Sequence, residues 1–584
     1  LDFGQLTTVD GFNDDVDKLG LYIHQNGKIV NTVKYDTTYY APISLFKYGL
    51  GYREKLDRDL YRVREDIIKF SYLISNTMLK RNGSLNVLLG LISYALIYYD
   101  KPFGLPFTMF LYQVDLYHPV FVEMTSSLSA YVKQRPDYYL RTVWLELNAL
   151  GGFFTNTEYN PLPDIHALID YRPYDRGQFT IKHFWQSLQD LPFSATKKLN
   201  FLDWLTESFY TTGGSSNLAR IDIKINGQQE YMKGKKAWLP VKYEPAELYE
   251  MCKSATTFEC KTGLKPELGK IRFFVGFDDI GYLIQSYVLY LMDKWYVGYD
   301  GVILDQTSHV ALLRDQDIVA QMSESWSMPF DYQKFDHQIT KIEVLLICLR
   351  IIEVVQTVLH SEDAWMRDKF MATVDDAFLS YLGNILNYLN GLLSGMRITS
   401  VVGNIWNLVI SNRASKDLPV VKYILGDDTL YISKSKEILE RILVQLKELN
   451  IEFSLEKFSI TYGFGDFLRN TYTSSLIFGL PTRSLASSIS RKPWNADPID
   501  KRDKLLNLVS GLGTTFRRTG RYYDDNLIKK FCAGSKLNNL LGGSTSLGSI
   551  GGLINYNSSL SYKFKPKLSV STIVSNNYVD NIIK

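Results

Sequence analysis

Four aspartates carry the chemistry that this sequence suggests. Asp427 and Asp428 stand side by side in YILGDDTLYIS (Tyr423 to Ser433), with apolar and aromatic residues on both sides. Gly and Asp are turn residues, so a plain hairpin turn accounts for the tripeptide by itself. Adjacent carboxylates also repel unless one is protonated or a cation bridges them, and oxygen donors suit a hard divalent ion. Asp331 and Asp336 lie five apart in WSMPFDYQKFDHQI. That interval fits neither one helix face nor one strand face. It predicts a strand ending at Asp331 and a helix beginning near Asp336, where a carboxylate can also cap.

A second group surrounds these acids. In GLLSGMRITSVVGNIWNLVIS, Ser394-Gly395 predicts a flexible loop leading into a helix. Thr399, Gly403 and Asn407 then recur every four residues and share one face of that helix. Such a small polar stripe serves either a helix-packing hydrogen bond or the close approach of a ribose or a backbone. Upstream, KTGLKPELGKIRFFVGF (Lys261 to Phe277) is basic, and Lys270 and Arg272 alternate so that one strand face presents both. Surface lysines at this spacing are commonly just solvated.

The elements that must hold these groups follow from periodicity. KIEVLLICLRIIEVVQTVLH (Lys341 to His360) is apolar nearly all round and predicts a helix buried in a large core. Ser433 to Asn450 predicts an amphipathic helix with a Ser start and an Asn end. IEFSLEKFSIT and GDFLRNTYTSSLIFGL read as short strands. Residues 1–60 look irregular, Tyr52 to Lys80 is a charged helical pattern, and Leu85 to Tyr99 is apolar but too short to span a membrane and reads as a buried helix. Gly542 to Ser559 is a Gly/Ser/Asn-rich loop, followed by basic YKFKPKLS.

At 584 residues the chain exceeds a single core and predicts two or three subdomains. A net charge of +3 neither demands nor excludes nucleic acid, since a basic channel can be offset by acidic surface elsewhere. Cys252, Cys260, Cys348 and Cys532 form no CxxC pair, which predicts free, buried thiols in a reducing compartment. The opening LDFGQLTTVD carries no initiator Met and no signal pattern, so a processed or trimmed start is expected. No phosphate-loop, HExxH or GxSxG motif supports a helicase, protease or other chemistry.

The order of the parts is more specific than any part. Strand-D-x4-D, then SG-x3-T helix, then an apolar-flanked GDD hairpin resembles the palm of viral RNA-dependent RNA polymerases, as motifs A, B and C. Lys261 to Phe274 resembles finger motif F, Glu456-Lys457 motif D and GDFLRN the primer-grip motif E. The layout is most similar to enzymes of double-stranded RNA viruses of the picobirnavirus and partitivirus type. The resemblance implies an α/β (α+β) right-hand fold whose palm is a small antiparallel sheet flanked by helices. It divides the chain into an N-terminal extension (1–60), fingers with part of the palm (61–310), palm with motif A (311–360), a fingers insertion (361–393), palm with motifs B to E (394–480), and thumb with C-terminal loop (481–584).

The resemblance also implies roles. Asp331, Asp427 and Asp428 would hold two Mg²⁺ ions, with Mn²⁺ as the alternative, and Lys457 would be a general acid for the leaving pyrophosphate. Asp336, Ser394, Gly395, Thr399, Lys270 and Arg272 would bind the nucleotide. Many relatives carry Asn or Asp where Gly403 stands, which leaves Asn404 and Asn407 as candidates for that contact. Lys261, Lys265, Arg397, Phe467, Leu468 and Arg469 would bind RNA. Template and product RNA, ribonucleoside triphosphates and a capsid protein are the implied partners, without a membrane. Initiation without a primer, the virion interior and the host cytoplasm are implied as well. Two rivals remain: a reverse transcriptase, against which stand Leu425-Gly426 before the acid pair and Asp336 in place of a bulky gate, and a non-catalytic RNA-binding or capsid-associated protein.

Overall fold

The computed structural model describes residues 160–208, 215–225, 228–267, 270–453, 459–475 and 477–479. The expected N-terminal extension, the helices at Tyr52 to Lys80 and Leu85 to Tyr99, Glu456-Lys457, Cys532, the thumb and the loop at Gly542 to Ser559 lie outside these residues.

A long hairpin, β1 (Ser215–Ile225) and β2 (Gln228–Lys235), precedes two four-stranded sheets. In the first sheet, β3 (Phe258–Glu267) pairs antiparallel with β4 (Lys270–Gly276). On its other side β3 runs parallel to β6 (Ala377–Tyr381), which closes a hairpin with β7 (Asn384–Asn387). The second sheet is the expected small antiparallel one. Its order is β10 (Thr461–Tyr462), β5 (Trp326–Asp331), β9 (Asp428–Ser433), β8 (Val421–Leu425). A three-stranded meander, β11 (Phe464–Phe467), β12 (Asn470–Thr473) and β13 (Ile477–Gly479), lies against it.

Both faces of the second sheet are covered, which explains why its strands read as continuous apolar runs rather than alternating ones. Strand period two sends Tyr431 and Phe330 to one face and Leu430 and Ile432 to the other. The first face joins the main core, against the helices. The second packs with Ile318, Met322, Phe467 and Tyr472 in a smaller core. Pro329 sits inside β5, where a missing N–H weakens a ladder. The pairing of β10 with β5 covers Trp326 and Ser327, ahead of the proline, and on the other side Pro329 is in register with Leu430 of β9.

Six helices position the site: α1 (Asp279–Leu291), α2 (Phe335–Gln338), α3 (Lys341–Val355), α4 (Met366–Asp375), α5 (Thr399–Ala414) and α6 (Lys436–Glu448). α3 begins where the sequence predicts, with Thr340 and Glu343 forming a capping box, and ends at Val355 rather than His360. Its buried Glu343 is the exception to the apolar surround and receives a partner from far upstream. α6 is shorter than the expected Ser433 to Asn450: Ser433 closes β9, and Asn450 takes a left-handed φ of 54° just past the helix. The three described cysteines, Cys252, Cys260 and Cys348, are free and buried, and burial pushes each thiol up.

Candidate polymerase active site

The acids meet through strand register. Asp331, the last residue of β5, is the direct partner of Asp428, the first residue of β9, and Asp428 also faces Leu425 at the end of β8. Directly opposed residues share a sheet face with Cβ atoms about 4.5–5.5 Å apart, and like charges there are destabilising. Asp427 sits in the two-residue turn between β8 and β9, next to Asp428. Gly426, the first turn residue, has φ +61°, while Asp427 is not left-handed, the pattern of a type II′ hairpin. A Cβ on Gly426 would meet nothing within 4 Å among the described residues, so its left-handed φ is the reason for glycine here. Asp331 and Asp428 are half-buried and Asp427 is exposed. By strand alternation the Asp331–Asp428 pair lies on the face opposite α5.

An oxygen-only donor set with two opposed carboxylates fits a hard divalent ion, because such a pair needs protonation or a bridging cation. Among the described residues, no three His, Cys, Asp or Glu side chains already converge as a closed metal cage. The fit therefore lies in where the backbone delivers the three aspartates.

α5 fastens the turn from behind. Asn404 accepts a hydrogen bond from the Gly426 N–H (3.1 Å), and Asn407 Nδ2 donates to the Gly426 carbonyl (2.7 Å) and to Thr429 Oγ1 (2.9 Å). Asn407 Oδ1 accepts from Tyr332 OH (2.7 Å), beside Asp331, and from Ser411 (3.0 Å). Ser411 continues to Tyr431 OH at 2.8 Å. Burial holds the Tyr332 and Tyr431 hydroxyls well above the usual phenol range, so both stay protonated. The two asparagines considered for the ribose thus hold the backbone of the GDD turn instead. At Gly403 a Cβ would come 3.1 Å from the Phe335 ring, which takes up the space beside Asp336.

Asp336 lies in the first turn of α2, but the N-cap is Lys334, so capping is not its task. Its carbonyl accepts from Leu392 N (2.7 Å), which ties the residues after Asp331 to the segment before Ser394. Gln333 N donates to the Glu452 carbonyl (3.0 Å), Gln338 Nε2 to the same carbonyl (2.7 Å), and Glu452 N to Gln338 Oε1 (2.9 Å). Ser394 is exposed, and its hydroxyl accepts from Val275 N on β4 (3.3 Å). A Cβ on Gly395 would lie 1.8 Å from the Val275 carbonyl, so only glycine lets this loop lie on β4. Gln285 of α1, fully buried, accepts from Arg397 N (2.9 Å) and donates to Thr373 of α4 (3.0 Å).

Other expected residues fall elsewhere. The Thr399 hydroxyl donates toward the Leu393 and Met396 carbonyls (2.6 and 2.9 Å), which ties down its own loop. Phe467 is 3% exposed in the smaller core, which corrects its expected place on an RNA surface. Leu468 and Arg469 form the β11–β12 turn with φ of 50° and 63°, a type I′ geometry that neither residue favours. Arg469 and Arg397 are exposed. Lys261 is exposed and pairs with Glu259 at 3.5 Å. Lys265, Lys270 and Arg272 belong to the β3–β4 hairpin, where Lys265 faces Arg272 in register; Lys457 lies outside the described residues.

Sequence reasoning missed Tyr332, Ser411, Gln285 and Arg176. A signal existed for Ser411: the stripe Thr399, Gly403, Asn407 continues at the same interval through Ser411 and Ser415. Nothing local marks Gln285 or Arg176, whose partners are distant in the chain.

Strand-end aspartate and clamped acidic hairpin thus stand on one antiparallel sheet backed by helices, and the glycine loop rests on the neighbouring sheet. Residues 242–492 match the family described as viral RNA-directed RNA-polymerase. The protein is accordingly an RNA-directed RNA polymerase, a nucleotidyltransferase whose partners are an RNA template and nucleotide substrates. Two solved structures resemble it, both RNA-dependent RNA polymerases of a human picobirnavirus. An insertion-loop deletion mutant has 13% identity and a TM-score of 0.46, over 75% of this chain and 89% of that one. The other has 12% identity and a TM-score of 0.47, over 80% and 93%. No curated protein matches the chain. No helix among the described residues is long and apolar enough to cross a membrane.

Proposed function

We propose that the chain joins ribonucleotides by a two-metal mechanism at Asp331, Asp427 and Asp428, copying the RNA genome of a double-stranded RNA virus. The observation that carries this reading is the register pairing of Asp331 with Asp428, which sets the end of β5 beside the tip of the β8–β9 hairpin although the two residues are distant in the chain. Two Mg²⁺ ions held there would neutralise the attacking and departing oxygens of an in-line displacement. In that step a strand's 3′-hydroxyl forms a bond to the α-phosphate of a nucleoside triphosphate as the bond to pyrophosphate breaks.

The chain's own residues set the geometry. Asn404 and Asn407 fix the height of the GDD turn by gripping both backbone groups of Gly426. Asp336 accepts a hydrogen bond from the ribose 2′-hydroxyl, the group that separates RNA from DNA. Ser394-Gly395, seated on β4, adjusts to the template and incoming base, and Lys270 and Arg272 on that strand meet the triphosphate. Lys457 delivers a proton to the leaving pyrophosphate. Lys261, Lys265, Arg397, Leu468 and Arg469 track the RNA backbone.

The pairing of β3 with β6 supports assigning both 61–310 and 361–393 to the fingers, since it joins those stretches in one sheet. Residues 481–584 are assigned to the thumb, with the Gly/Ser loop as the platform for primer-independent initiation. A capsid protein is the proposed partner, in the virion interior and the host cytoplasm.

The test is incorporation of labelled ribonucleotides on a homopolymeric RNA template, with Mg²⁺ and with chelator. Incorporation should need the metal and disappear in Asp427→Ala. Full activity of that variant removes the acid assignment.

A further inference from the structure

Residues 160–241 precede the matched polymerase segment, yet one of their side chains reaches the turn that bears Asp336. Arg176 is 4% exposed. Its guanidinium forks onto Glu343, Nε to Oε1 and Nη2 to Oε2 at 3.0 Å each, and Nη2 also donates to the Gln338 carbonyl at 2.6 Å. The guanidinium carbon lies 5.2 Å from the centroid of the Trp406 ring. Glu343 also accepts from the Thr340 N–H (2.8 Å) and hydroxyl (2.9 Å) at the start of α3. Trp406 packs edge-on to Phe335 (5.4 Å) and tilted against Tyr332 (5.7 Å).

The groups bonded to or stacked on the Arg176 guanidinium, Glu343, the Gln338 carbonyl and Trp406, therefore belong to, or touch, residues 332–343. Phe335 and His337 bracket Asp336, and Gln338 closes the short helix that carries it. We propose that Arg176 is a positioning residue for sugar selection: it fixes the turn from Tyr332 to Gln338 and thereby the place of the Asp336 carboxylate beneath the incoming nucleotide. The inference rests on the reading of Asp336 as the ribose contact. It needs an arginine because one planar fork supplies two parallel bonds to Glu343, a third to a carbonyl and a flat face for Trp406, whereas lysine offers a point charge. Small displacements matter here, since a shift of about 1 Å at a reacting group can cost as much as about 100-fold in rate.

A purely structural ion pair would affect all substrates alike, so the readout is a ratio. The kcat/KM for a ribonucleotide and for its 2′-deoxy counterpart are measured on one RNA template for full-length wild type, Arg176→Lys, Asp336→Asn and the double variant. Arg176→Lys should lower the ribo/deoxy ratio at least fivefold, and the double variant should discriminate no worse than Asp336→Asn alone. A wild-type ratio in Arg176→Lys overturns the proposal, as does a double variant whose loss is the product of the two single losses. If Asp336→Asn keeps the wild-type ratio, the reading of Asp336 fails by itself, and a shift confined to Arg176→Lys then overturns the route through Asp336. Should Arg176→Lys not fold, Trp406→Phe is judged by the same criteria; the Trp406 indole N–H has no hydrogen-bond partner among the described residues, so that change tests the packing.

Discussion

Asn407 does more at this site than any single aspartate can do for itself. Fully buried, it joins the residue after Asp331 to the carbonyl before Asp427 through one carboxamide. Replacing it by alanine leaves the Tyr332 hydroxyl, the Gly426 carbonyl and Thr429 short of partners, and each orphaned buried group costs about 1–3 kcal/mol. Asn407→Ala should therefore lose about 3 kcal/mol or more in denaturant unfolding, with incorporation falling with it. Asn404→Ala, which leaves the Gly426 N–H without its partner and removes one bond to the Ser400 carbonyl of its own helix, should cost about 1 kcal/mol. Equal losses in the two variants contradict the unequal sharing of the turn. At this scale the sequence was legible for type and not for task. The polar stripe on α5 was visible, but whether its asparagines face a sugar or a backbone depends on a hairpin 19 residues further on.

Elements were more readable where period and capping agreed. The strand to Asp331, the helix from Lys341 and the GDD hairpin stand where spacing puts them, because apolar runs, a capping box and turn residues all favour the same answer. What stayed hidden was contact between elements. The Ser394-Gly395 loop reads as flexible, yet it rests on β4 with no room for a methyl group. Gly395→Ala must lift the loop from the Val275 carbonyl, since backbone cannot yield by the required distance. The loop rather than the sheet should move, because Ser394 is already exposed. Incorporation should drop at least about tenfold, in line with the cost of misplaced positioning groups, while the thermal midpoint shifts little. A variant with normal turnover shows that the loop's seat on β4 is dispensable.

For the whole molecule, the matched polymerase segment shares its core with residues that precede it. Phe179, Phe184, Phe201 and Trp204, all before residue 242, lie in the same core as Tyr332, Trp406 and Tyr431. Fully burying such side chains contributes about 1.5–3 kcal/mol each, against a net stability of only about 5–15 kcal/mol for a domain. A fragment of residues 242–492 should therefore show no cooperative unfolding transition, whereas one of residues 160–492 should show one; calorimetry of both decides this. A sharp transition in the shorter piece refutes the shared core. Fold class was legible at this scale because motif order is long-range information. The contribution of residues 160–241 was not, since apolar side chains look alike whichever core they enter.

Pro329 has a consequence for assembly. The outer side of β5 is paired at its start, where β10 meets Trp326 and Ser327, and Phe453 bridges to Tyr332 just past its end; an unpaired stretch of ladder would invite foreign chains to extend it. A residue with no amide hydrogen, placed midway along that margin, denies a would-be extra strand a regular set of donors. The same proline that weakens the ladder thus interrupts the row of donors on the strand that ends at Asp331.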